Sequence, residues 1–68
     1  MLGKLYRRYR ERLGLTQREV ADALYVDASV ISRAETRTGY CRRYELFLIE
    51  TSDSPRELAK RFRMEGLP

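Results

Sequence analysis

The 68-residue sequence has no histidine, no tryptophan and a single cysteine, Cys41. Without a second thiol no internal disulfide can form, and a reducing cytoplasm is the natural setting. One cysteine and no histidine also remove the usual ligand sets of structural zinc, so no metal or other cofactor is expected. Catalytic apparatus is missing too: Cys41 has no base to activate it, and no glycine-rich phosphate loop or paired-carboxylate motif stands out. The chain is therefore expected not to be an enzyme, and no small-molecule substrate is evident. No apolar run approaches the roughly 20 residues of a bilayer crossing and no secretory leader opens the chain, so no membrane partner is expected. Period-two alternation never lasts long enough for a strand.

What is present is charge and helical periodicity. Lys and Arg number 14 against 10 Asp and Glu, a net charge of +4. The excess is clustered. Residues 1–13 hold Lys4, Arg7, Arg8, Arg10 and Arg12 against Glu11 alone, and residues 33–43 hold Arg33, Arg37, Arg42 and Arg43 against Glu35 alone. Between them, residues 16–32 are slightly acidic. Two basic clusters in one small chain fit a face that meets a polyanion, although either one alone reads more simply as a solvated surface.

The pattern predicts an all-α fold of five short helices in a single domain over 1–68. Leu2, Leu5, Tyr6, Tyr9 and Leu13 make one stripe over 2–13, closed by Gly14 as a left-handed stop. Thr16 and Glu19 form a capping-box pattern ahead of a helix over 17–24 that buries Val20, Ala21 and Leu24. Asp27 caps a third helix over 28–35 that buries Ile31 and Ala34. Thr36–Gly39 reads as a loop. A fourth helix over 42–50 buries Tyr44, Phe47 and Leu48, and Ser54-Pro55-Arg56-Glu57 opens a fifth over 55–63, with Leu58, Ala59 and Phe62 inward.

Only Tyr25-Val26-Asp27 separate the second helix from the third. So short a link forces a steep crossing, the geometry of a helix-turn-helix. Ala21 allows the close approach, and Val20, Leu24, Val26, Ile31 and Ala34 form the wedge beneath it. Ala28, Ser29, Ser32 and Arg33 share the outer face of the third helix, where short side chains can enter a groove roughly 12 Å wide.

The run Gln17-Arg-Glu-Val-Ala-Asp-Ala-Leu-Tyr-Val-Asp-Ala-Ser-Val-Ile-Ser-Arg-Ala-Glu35 resembles the helix-turn-helix of phage Cro and repressor proteins, the Xre-type family. The likeness extends back through Arg10–Thr16 and, more weakly, forward over the last two helices. It implies a compact lambda-repressor-like domain binding double-stranded DNA in the cytoplasm as a transcriptional regulator, a repressor. Ala28, Ser29, Ser32 and Arg33 match base-facing positions, with Arg33 suited to a bidentate contact to guanine. Gln17 matches a glutamine that braces a phosphate and orients side chains of the recognition helix. Thr36, Arg37, Thr38, Arg42 and Arg43 match the segment that clamps the sugar-phosphate backbone. Arg10 and Glu35 match a structural ion pair. The family's habit further implies a homodimer on a pseudo-palindromic operator, with Met64 and Leu67 available either to a partner or to the chain's own core.

Two positions depart from the family pattern. Tyr25 stands where glycine is usual, so either the turn differs or the tyrosine ring gains contacts that offset strain. Ala34 is small where a bulky residue is usual, leaving Tyr6, Tyr9 or Phe47 to fill the gap. The rival function is a protein-interaction module, such as an antitoxin-like or anti-repressor domain that kept the fold.

Overall fold

A computed structural model describes residues 2–37 and 40–66. Its five helices are α1 (Leu2–Arg12), α2 (Gln17–Leu24), α3 (Ala28–Thr36), α4 (Arg42–Thr51) and α5 (Pro55–Gly66), with no strand among the described residues. The last helix runs three residues further than the sequence pattern predicts.

Local chemistry explains where most helices begin and end. Thr16 and Glu19 form the full reciprocal box at the start of α2: Thr16 Oγ1 accepts from the Glu19 amide at 3.0 Å, and Glu19 Oε1 accepts from the Thr16 amide at 2.9 Å. Asp27 caps α3 by accepting from the Ser29 amide at 2.9 Å. α5 starts differently from the box its sequence predicts. The Ser54 amide donates to Ser52 Oγ at 3.1 Å, so a serine upstream takes the donor that Glu57 was expected to satisfy.

α1 and α2 end in the same way. After α1, the Gly14 amide donates to the Glu11 carbonyl and the Leu15 amide to the Arg10 carbonyl, with Gly14 at φ +73°. After α2, the Tyr25 amide donates to Asp22 and the Val26 amide to Ala21, with Tyr25 at φ 58°, ψ 42°. Both are Schellman turns, which close the last carbonyls of a helix through one left-handed residue. Glycine takes that conformation freely, whereas a tyrosine is strained there by about 1–2 kcal/mol. The turn has not changed to suit the tyrosine. Nor does packing compensate it, because Tyr25 is 93% exposed.

One core joins all five helices. Leu5 and Tyr6 from α1, Val20 and Ala21 from α2, Ile31 and Ala34 from α3, Tyr44 and Leu48 from α4, and Leu58 and Phe62 from α5 are buried together. Tyr6 sits between Tyr44 and Phe62, with ring centroids 5.0 and 5.3 Å away. Tyr9 meets Phe62 edge-on at 5.9 Å. Such pairs add about 0.5–1.5 kcal/mol each beyond their buried area.

The small Ala34 has a backbone answer. A Cβ placed on Gly3 would lie 2.8 Å from the Ala34 carbonyl oxygen and 2.5 Å from that of Glu35. The first turn of α1 thus presses its main chain directly onto the last turn of α3, an approach that only glycine allows. Gly3→Ala should therefore destabilise the protein by about 1–3 kcal/mol, because the clash is with backbone that cannot swing away. Alanine's better helix propensity, worth about 1 kcal/mol, would act in the opposite direction. Thermal unfolding followed by circular dichroism checks this, and a Tm equal to or above wild type would refute the close approach.

Candidate nucleic-acid interface

Beneath α3 lies a buried charge. Glu35 is 4% exposed, and its two oxygens collect donors from three other helices. Arg10 of α1 gives Nε to Oε2 at 2.6 Å and Nη2 to Oε1 at 3.1 Å. Gln17 of α2 gives Nε2 to Oε1 at 3.0 Å, and the Tyr44 hydroxyl of α4 donates to Oε2. Arg10 also spends Nη1 on the Leu15 carbonyl at 2.8 Å, tying the link after α1 into the same network. No side-chain nitrogen or oxygen buried among the described residues lacks a partner.

Burial alone would drive Glu35 toward its neutral form. The hydrogen bonds from Arg10, Tyr44 and Gln17, together with the Arg10 charge, more than offset that, and its pKa lies below the ordinary carboxylate range. Glu35 in turn holds Arg10 firmly charged. Burial, then the hydrogen bond to Glu35 and the charge of that carboxylate, push the Tyr44 hydroxyl well up, so it remains a proton donor.

The opposite side of α3 faces outward. Ser29, Val30, Arg33 and Thr36 are exposed, while Ala28 and Ser32 are half-buried along one flank. Ser29, Arg33 and Thr36 fall at i, i+4 and i+7, so they form one stripe. The four residues matched to base-facing positions are thus not equivalent: Ser29 and Arg33 project, whereas Ala28 and Ser32 lie lower. Val30, which sequence reasoning passed over, shares the exposed side. Spacing gave no signal for it, because position 30 stands one turn before the buried Ala34 and lies at the edge of the inward face. Thr36 turns its hydroxyl onto the Ser32 carbonyl at 2.9 Å. Gln17 is turned inward onto Glu35, which ties the start of α2 to the last turn of α3.

Thr38 lies outside the described residues. Arg37, the residue after α3, is exposed, and so are Arg42 and Arg43 in the first turn of α4. Two cations at a helix N-terminus oppose the helix dipole. Cys41, at the cap position, makes no side-chain cap hydrogen bond. Arg42 Nη1 donates to the Tyr40 hydroxyl at 3.2 Å, which orients it, and Arg43 Nη2 donates to the Leu24 carbonyl at 2.7 Å, which fastens α4 to the end of α2. This end of the molecule collects α3's outer stripe, an α4 N-terminus without a side-chain cap, and three exposed arginines.

A family model described as a helix-turn-helix domain matches residues 2–46. The chain belongs to the helix-turn-helix domain family. The match takes in α1, both helices of the motif and the start of α4, which are the elements that build the Glu35 network and the outer face of α3. Membership makes DNA the partner and DNA binding, with transcription regulation, the class of function. No curated protein and no solved structure matches the chain. No helix among the described residues is long and apolar enough to cross a membrane.

Replacing Glu35 tests the network on which α3 rests. Glu35→Gln leaves the buried Arg10 without its counter-charge and should destabilise the protein by about 3–5 kcal/mol. The wild type should also lose stability in acid. Because the folded pKa of Glu35 is depressed, its contribution is complete above the unfolded value of about 4.3 and is lost as pH falls through the folded value. Tm recorded across that range checks the sign: a Tm that rises on acidification would contradict the network.

Proposed function

We propose that residues 1–68 form an Xre-type domain of a transcriptional regulator that binds double-stranded DNA sequence-specifically and acts as a repressor, in the manner of phage Cro and repressor proteins. One observation carries this. α3 is anchored from behind by a buried carboxylate shared with α1, α2 and α4, while its outer stripe of Ser29, Arg33 and Thr36 stands free to enter a groove.

The roles follow from geometry and charge. Arg33 reads bases, with Ser29 beside it and Ala28 and Ser32 as small flanking residues that let the helix sit close. Val30 offers an apolar contact to a thymine methyl. Arg37 and Arg42, with Thr36 and Thr38, meet phosphates, and a phosphate at the start of α4 relieves the clash between its arginines and the helix dipole. Arg43 joins them with the donors that Leu24 does not use. Gln17 contributes to phosphate binding through its place at the start of α2. The chain acts as a homodimer on a pseudo-palindromic operator, with recognition helices about 34 Å apart. Met64, 64% exposed on α5, is available to that contact, while Leu67 lies outside the described residues.

Selection of bound sites from random duplex DNA should enrich a two-fold symmetric motif. Arg33→Ala should cost about 1–3 kcal/mol on the enriched site and relax preference at one base pair per half-site. Arg37→Ala and Arg42→Ala should instead weaken binding to all sequences and lower the salt slope by about one unit each. If no motif is enriched and binding is insensitive to salt, the domain is a protein-interaction module.

A further inference from the structure

Building on the DNA-binding reading above, we propose that Tyr25 is itself a DNA contact, its hydroxyl donating to a backbone phosphate at the rim of the groove that receives α3. The starting point is a strained residue with nothing folded around it. Two Schellman turns stand eleven residues apart, one built on Gly14 and one on Tyr25. The backbone demands the same left-handed conformation at both. Glycine would serve the second as well as it serves the first, yet a tyrosine occupies it with its side chain in solvent. Left-handed non-glycine residues concentrate where strain is kept for binding.

The surroundings indicate the kind of partner. Tyr25 lies three residues before α3 begins, and the preceding carbonyl, Leu24, holds the Arg43 guanidinium at 2.7 Å. A cation is thus fixed on the residue next to Tyr25, and arginine and tyrosine are both among the side chains that donate to DNA phosphates. The two nearest carboxylates along the chain are already engaged. Asp22 pairs with Arg18 at 3.5 Å and Asp27 accepts the Ser29 amide. Arg18, Asp22 and Asp27, all exposed, stand within seven residues of it along the chain, so its sequence neighbours are charged. A protein-docking centre is depleted of charge and richer in apolar area, which these neighbours do not supply. Nothing else in the turn needs the ring. The backbone bonds of Tyr25 and Val26, and the Arg43 bond to Leu24, hold the turn whatever side chain position 25 carries.

Stability and affinity should therefore move in opposite directions. Tyr25→Gly, and Tyr25→Asn as a second residue that tolerates the left-handed region, should leave Tm equal to or above wild type. On the duplex recovered by site selection, both should bind about tenfold more weakly, as expected for loss of a hydrogen bond to a charged group. Tyr25→Phe, which removes only the hydroxyl, should show the same loss without a gain in Tm. Fluorescence anisotropy titrations and thermal melts on the same preparations read both quantities. If wild type and Tyr25→Gly bind that duplex equally, the contact is refuted while the DNA-binding reading stands, and a protein-facing tyrosine becomes the explanation. If wild type binds no duplex, the DNA reading itself has failed.

Discussion

The carboxylate of Glu35 is the constraint around which the rest is arranged. A single buried charge without partners would cost several kcal/mol, a large share of the stability of a chain this short. Its oxygens can be satisfied only if α1, α2 and α4 bring Arg10, Gln17 and Tyr44 to the same place at once. The network therefore sets the position of α3 against three neighbours. Because Glu35 sits in the last turn of α3, opposite the Arg33 and Thr36 stripe, the interaction that secures the helix also aims its outer face.

Packing reinforces the placement from the other side. At eight to twelve residues each, these helices are shorter than isolated helices that persist in water, so tertiary contacts must hold them. The Gly3 backbone presses against the Ala34 and Glu35 carbonyls. The Tyr6, Tyr44 and Phe62 rings fill the space between α1, α4 and α5. Tyr44 belongs to both systems: its ring packs on Tyr6 while its hydroxyl donates to Glu35.

The arginines show how residues alike in sequence separate in space. In the first basic cluster Arg10 is buried on Glu35, Arg7 pairs with Glu11 at 3.3 Å, and Arg12 lies over the Tyr9 ring. That cluster is largely occupied with the chain itself. In the second, Arg33, Arg37 and Arg42 stay exposed around one end of α3, and Arg43 bridges to α2. A tally of charge along the chain treats the two clusters as equals, because charge is a local property and its employment is not.

The number of helices, the Thr16–Glu19 box, the Asp27 cap, the Gly14 stop and the fully buried apolar positions of each helix were legible in the sequence, whereas Leu24, Phe47 and Ala59, expected inside, are only half-buried. Each depends on residues within one or two turns of one another, where spacing alone decides which groups meet. The Arg10–Glu35 pairing was visible only through resemblance, since nothing local links residues 25 apart. Gly3 as a contact, Tyr44 and Gln17 as partners of Glu35, Ser52 in place of Glu57 at the start of α5, and the solvent-facing ring of Tyr25 were decided by the tertiary structure. They depend on how steeply the helices cross and how closely their main chains approach, and those quantities are set by the whole core together rather than by any one segment.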